Sequence, residues 1–291
     1  MDKLSVEFLN TKIEFTSKEQ AAELLRTSDE FTRSMSPFDF AAKTQDKEKT
    51  EEQDYLDHAA LQANSWSEKE ISDTKEMIKK AEEKIIALNL NINLPAQVKL
   101  ILSSCLEEGG AEGYTRENYI VFRTKPSESL FLHEMWHIIS RANPELRDEA
   151  YKIIGFEKID RISFPPVLNK LRITNPDAPF IEHSIKATAD GQERDLILCT
   201  MASSPYTKGS FFQYLMIIMY EVKFENGKAE IIISPPYNVA NVTGFRDKIG
   251  NNTNYIIHPE EITAEHFTLV VQGKTSKSQD KLDELRDLLQ K

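Results

Sequence analysis

The stretch "LFLHEMWHIIS", residues 130 to 140, carries three side chains that can do chemistry together: His133, Glu134 and His137. Residues four apart on a helix project from one face, so the two histidines can offer imidazole nitrogens to a single cation. Glu134 sits about 100 degrees further round, within reach of a water held at that cation. With 6 histidines in 291 residues, the pattern arises by chance in roughly one such chain in a hundred. Zinc accepts nitrogen and oxygen donors, and a catalytic site takes three protein ligands and leaves one position open. The alternative is a buried helix whose histidines bond to core carbonyls. That leaves two histidines and a carboxylate on one apolar element unexplained, since unpaired polar groups there are costly.

A third ligand has to come from elsewhere, because "IISRANPELRD" supplies no further histidine. Glu145 and Glu149 on the next predicted helix, and Glu157 beyond it, are candidates with the character of ordinary first-turn and surface acids. "HPEEITAEHF" is stronger. Glu261 and Glu265 lie four apart on one face, where as a solvated pair they would repel by a few tenths of a kcal/mol. Facing a cation, one can ligate while the other holds a ligand histidine in its tautomer. The small Ala264 lets such a helix pack closely on the histidine-bearing one. The competing reading makes Glu260 and Glu261 partners of a helix dipole and leaves Glu265 exposed.

The elements that must position these residues follow from periodicity. Residues 1–92 read as a helical N-terminal region, with apolar residues at three and four spacing and a capping box at Ser67 and Glu70. The charged stretch 41–53 reads as a solvated linker or a helix start. From Pro95 the order becomes strand ("QVKLILSS"), glycine-rich loop, strand ("ENYIVFR") and the metal helix, with Pro126 in its first turn and Asn143-Pro144 ending it. Four further strand candidates lie between residues 179 and 234. Pro259 starts and Gly273 ends the glutamate-bearing helix, and Leu282, Leu285, Leu288 and Leu289 line one face of a terminal helix. The fold class expected is α+β: a small mixed sheet packed on the histidine-bearing helix, with residues 93–291 as one body including its C-terminal helices.

Composition narrows the partners. Lys plus Arg 36 against Asp plus Glu 47 gives a net charge of −11, with no basic face to track phosphates, so nucleic acid is not expected. No stretch approaches the roughly 18 apolar residues of a membrane span, and the start lacks the features of a signal peptide. Cys105 and Cys199 make no disulfide framework. A cytoplasmic location is expected, or export without a conventional signal.

The helix "HEMWH" followed by a later helix with "EITAE" is similar to the gluzincin metallopeptidases, whose third ligand lies in a Glu-x-x-Ala-Asp-like segment. The chain also resembles a sparsely characterised group of bacterial metallopeptidases in which segments like "EEGGAEGYTR", "TNPDAP" and "HPEEITAE" recur around the zinc motif. The resemblance spans roughly residues 95 to 272. It implies zinc held by His133, His137 and Glu261, with Glu134 as general base. Glu265 stands where many relatives have Asp, and Glu261 follows His137 by 124 positions.

On this reading a peptide or protein is hydrolysed by metal-activated water. Tyr255 and His258 are candidates to stabilise the oxyanion, although spacing does not separate them from Tyr206 or Tyr237. An extended peptide adds to the free edge of "ENYIVFR". Gly109, Gly110 and Gly113 then admit the substrate backbone, and Tyr114, Arg116 and Tyr119 line the entrance. From another class comes a second hypothesis: a structural or degenerate metal site in a helical interaction or effector protein.

Overall fold

The computed structural model describes residues 4–225 and 227–291. The chain enters through a hairpin, β1 (Ser5–Phe8) and β2 (Thr11–Phe15). Leu9 and Asn10 turn it at φ 48° and 68°, both positive as a two-residue hairpin turn of this kind requires. Helices α1 (Lys18–Leu25), α2 (Glu30–Ser34), α3 (Pro37–Lys43) and α4 (Glu52–Leu61) follow, then the short strand β3 (Ala63–Asn64) and the long helix α5 (Glu68–Ala87). Ser67 and Glu70 form the expected capping box on α5. Strands β4 (Gln97–Ser103), β5 (Gly113–Arg116) and β6 (Tyr119–Phe122) complete a mixed sheet of order β1-β2-β4-β6-β5, with β3 on the end of β4.

Residues 1–92 are therefore not a helical region standing apart. Strand β2 pairs in parallel with β4, Ile13 opposite Val98. Phe8, Ile13 and Phe15 share one apolar core with Phe131, Trp136 and Ala264. The hairpin's apolar residues alternate along each strand, which buries one face against the same helices that the later strands cover.

Beyond the first sheet come α6 (Glu128–Ala142), α7 (Pro144–Ile153), β7 (Phe156–Lys158) and α8 (Pro166–Asn169). A second sheet follows, ordered β11-β10-β9-β8-β7, from β8 (His183–Ala189), β9 (Gln192–Ala202), β10 (Leu215–Glu225) and β11 (Lys228–Ile231), with β12 (Tyr237–Asn238) on β10. The chain closes with α9 (Phe245–Ile249), α10 (Pro259–Gln272) and α11 (Gln279–Leu289). The class is α+β, with two sheets rather than one small one. No helix of the described residues is long and apolar enough to cross a membrane.

The first sheet separates two layers. Ile120 and Phe122 face α5, α6 and α10, whereas Tyr119 and Val121 face α1, α2 and α4. Helix α6 begins at Ser127, whose hydroxyl accepts the Leu130 N–H at 3.2 Å, so Pro126 precedes the cap instead of lying in the first turn. Residues Phe131 through Ser140 are all buried, because the sheet, α5, α7 and α10 surround this helix. Ala264 is fully buried and, with no side chain beyond Cβ, lets α10 close on α6.

Candidate metal centre

Helix α6 presents His133 and His137 towards Glu261 on α10, and one donor atom from each lies within 4.8 Å of the other two. His133 Nε2 is 3.0 Å from Glu261 Oε2, and its Nδ1 is 3.0 Å from Glu265 Oε1. His137 Nδ1 is 2.8 Å from Glu260 Oε1. Its Nε2 lies 3.7 Å from Glu261 Oε2 and is buried without a hydrogen-bond partner. Each histidine thus has one nitrogen held by a glutamate of its own, Glu265 or Glu260, and the other turned towards Glu261.

The sequence reading missed Glu260. It is buried at the first turn of α10, where it accepts from Ser140 Oγ at 2.5 Å and from the Tyr151 hydroxyl as well as facing His137. A carboxylate beside the far nitrogen of a histidine fixes ring orientation and raises its basicity as a ligand. Asn175 Nδ2 donates to the remaining oxygen of Glu261 at 2.5 Å. The alternatives for a third ligand lie elsewhere: Glu145, Glu149 and Glu157 are exposed, and Glu149 pairs with Lys152.

Glu134 lies on the sheet side of the group. Thr115 Oγ1 donates to its Oε2 at 2.8 Å, and Oε1 rests over Gly113, where an added Cβ would meet it at 3.0 Å. Glycine at 113 is what leaves room for this carboxylate. Burial, reinforced by the negative charge of Glu261, pushes the Glu134 carboxyl up to about 7. Burial opposes the charged form of Glu261 as well, but His137 and His133 outweigh it and hold that carboxyl low.

Four buried or partly buried carboxylates, Glu134, Glu260, Glu261 and Asp177, gather here around two imidazoles. A buried charge persists only when paired or coordinated, and here it does not all persist: burial and the neighbouring negative charges hold the Glu134 and Asp177 carboxyls up, towards the neutral acid. The orphaned His137 Nε2 is a mismatch, since a buried unsatisfied polar atom costs about 1–3 kcal/mol. A divalent cation among His133, His137 and Glu261 removes that mismatch, and the donor set of two nitrogens and an oxygen suits zinc.

The surroundings correct several expectations. A cleft of about 510 Å³ opens on the site, lined by Gly110, Gly113, His133, Glu134, Tyr255 and Glu261 among others. Gly110 and Tyr255 line this cleft, the Tyr255 ring 6.0 Å from that of His133. His258 does not face this cleft. Its Nδ1 accepts the Glu260 N–H at 3.1 Å as the cap of α10, and it lines a separate cavity of about 280 Å³. Tyr206 and Tyr237 do not line the cleft either.

Tyr114, Arg116 and Tyr119 are not at an entrance. Strand alternation puts them on the far face of the sheet, against the N-terminal helices. Tyr114 donates to Glu107 at 2.8 Å, Arg116 pairs with Asp29 at 2.7 Å, and Tyr119 is buried beneath the Arg116 guanidinium. Nor does β6 have a free edge, since it runs between β4 and β5; the edge is β5. The Thr115 N–H points out from that edge to Asp177 Oδ1 at 2.6 Å.

No family model, curated protein or solved structure matches this chain. The fold and the site define an α+β protein with a buried histidine and carboxylate group capable of holding a metal ion.

Proposed function

We propose that this protein is a zinc-dependent metallopeptidase of zincin type, acting on peptides or proteins as an endopeptidase. The observation that carries the reading is the convergence of His133, His137 and Glu261 to within 4.8 Å, with a carboxylate facing the other nitrogen of each histidine. An ion held there supplies Lewis-acid activation of a water and of the scissile carbonyl. Glu134, fixed by Thr115, takes the proton of the attacking water and hands it to the leaving amine nitrogen. A carboxyl raised towards neutrality suits both steps.

In an antiparallel strand the N–H and C=O of one residue point to the same side and alternate along the chain. Because Thr115 points outward, so does Gly113, and the two offer an extended substrate a short ladder along the cleft. Tyr255, on the lining of the same cleft, donates its hydroxyl to the developing oxyanion.

The test is cleavage of a mixed peptide library by zinc-loaded wild type and Glu134→Gln. The reading requires cleavage by wild type and its loss in the variant with zinc retained. Equal behaviour of the two proteins favours a non-catalytic interaction or effector role and removes the peptidase.

A further inference from the structure

The segment Thr174-Asn175-Pro176-Asp177-Ala178-Pro179 lies against the site through two side chains, Asn175 and Asp177. Asn175 Nδ2 bonds Glu261 Oε1 at 2.5 Å. Asp177 Oδ1 accepts the outward N–H of Thr115 at 2.6 Å, and Arg141, one turn beyond His137 on the same face of α6, donates to the Asp177 carbonyl at 3.1 Å. The Asp177 N–H turns back to Asn175 Oδ1 at 3.1 Å. Thr174 is anchored through its N–H and hydroxyl to buried Asp39, and the prolines at 176 and 179 lock φ on either side.

Asp177 also belongs to a second ligating group. One oxygen from Asp177, one from Glu134 and a ring nitrogen of His137 lie within 4.8 Å of one another. The two groups share His137, whose Nε2 is buried without a partner and lies 3.7 Å from Glu261 Oε2. Asp177 is also common to the lining of the 510 Å³ cleft and of the separate 280 Å³ cavity, so it stands between the two.

We propose that Asp177 is a fourth, displaceable ligand of the ion held by His133, His137 and Glu261, and that its carboxylate occupies the coordination position and the Thr115 N–H that a substrate carbonyl must take. The inference rests on the metal reading above. A carboxylate on an edge N–H beside a metal position occupies the place of an extended peptide's carbonyl oxygen. Substrate binding then has to lift Asp177 off the ion, with Asn175 and Arg141 holding the segment nearby for its return.

Cobalt(II) replaces zinc in such sites and reports its own coordination through its visible absorption bands. The experiment titrates cobalt(II), and then azide, into wild type, Asp177→Asn, Asp177→Ala and His137→Ala. Asp177→Asn keeps the acceptor for Thr115 and the shape of the segment while removing the anionic ligand, so it separates ligation from folding. The expected result is an altered cobalt band in both Asp177 variants, cobalt affinity down by about tenfold, the low end of the effect of losing a group that supports a metal site, and tighter azide binding than in wild type. If wild type binds cobalt through His137 but the Asp177 variants match it in spectrum, cobalt affinity and azide affinity, Asp177 is not a ligand and this inference alone fails. If wild type binds no cobalt, or His137→Ala binds it equally well, the metal reading fails and takes this one with it.

Discussion

Replacing Glu260 by glutamine removes one negative charge and leaves the shape of the side chain unchanged. In the structure Glu260 accepts from Ser140 and Tyr151 and faces His137 Nδ1 at 2.8 Å. Glutamine keeps a single acceptor oxygen and presents an NH2 group to donors. Loss of such a partner typically weakens metal binding 10- to 100-fold, or about 1.4–2.8 kcal/mol. At a zinc concentration near 100 times the wild-type Kd, the ion stabilises wild type by about 2.7 kcal/mol. The variant gains only about 1.4 kcal/mol if its Kd is tenfold weaker, and about 0.4 kcal/mol if it is a hundredfold weaker. Urea unfolding of both proteins with and without zinc, in buffer free of chelators, reads these differences directly. Comparing each protein with its own apo form removes the stability effect of the substitution itself. A zinc-induced gain equal to that of wild type would refute the assignment of Glu260 as the group that orients His137.

Other outcomes follow from the same geometry. Glu134→Gln should keep zinc and lose cleavage by about 10²- to 10⁴-fold, measured as kcat/KM on a peptide that wild type cuts. Gly113→Ala puts a Cβ 3.0 Å from Glu134 Oε1 and 3.2 Å from the Val121 carbonyl. It should lower kcat while metal content, read by atomic absorption, stays at the wild-type level. Glu107, buried with one oxygen unpartnered, has its carboxyl pushed by burial from 4.5 to about 7. An acid raised on folding leaves the folded state holding more protons between the two values, so stability falls as pH rises. The contribution is full below pH 4.5 and is lost as pH climbs through 7, reaching up to about 3 kcal/mol at 1.36 kcal/mol per unit. Glu107→Gln should abolish that part of the pH dependence in urea melts between pH 5 and 8; an unchanged profile counts against it. Ala264→Leu should overpack the contact between α6 and α10 at a cost of about 1–3 kcal/mol, seen as a lower urea midpoint.

The parts of this molecule readable from sequence are those written in periodicity within one element. The four-residue spacing of His133 and His137 places both on one face of α6, and that of Glu261 and Glu265 brings both to His133. Pro259 and Gly273 mark the ends of α10 where expected. Glu260 was not legible because two adjacent acids at a helix start differ by only about 100 degrees, and sequence alone does not say which direction is inward. The first hairpin was hidden because Leu9-Asn10 makes a turn of positive φ without the glycine that usually signals one. The Tyr114, Arg116 and Tyr119 error is one of facing: a strand's period of two puts Tyr114 and Arg116 on one face and the pairing of Arg116 with Tyr119 adds the third, but only the packing of the sheet tells which layer that face meets. Asp177 and Asn175 lie far from α6 in sequence, and tertiary folding alone brings them to it.

Zinc content of the purified chain beside His137→Ala and Glu261→Ala decides whether His133, His137 and Glu261 hold an ion. The expected result is about one equivalent of zinc in wild type, prepared without chelators, and loss of the ion in both variants while their secondary structure persists. Wild type without stoichiometric zinc, or Glu261→Ala that retains it at full affinity, contradicts the site described here.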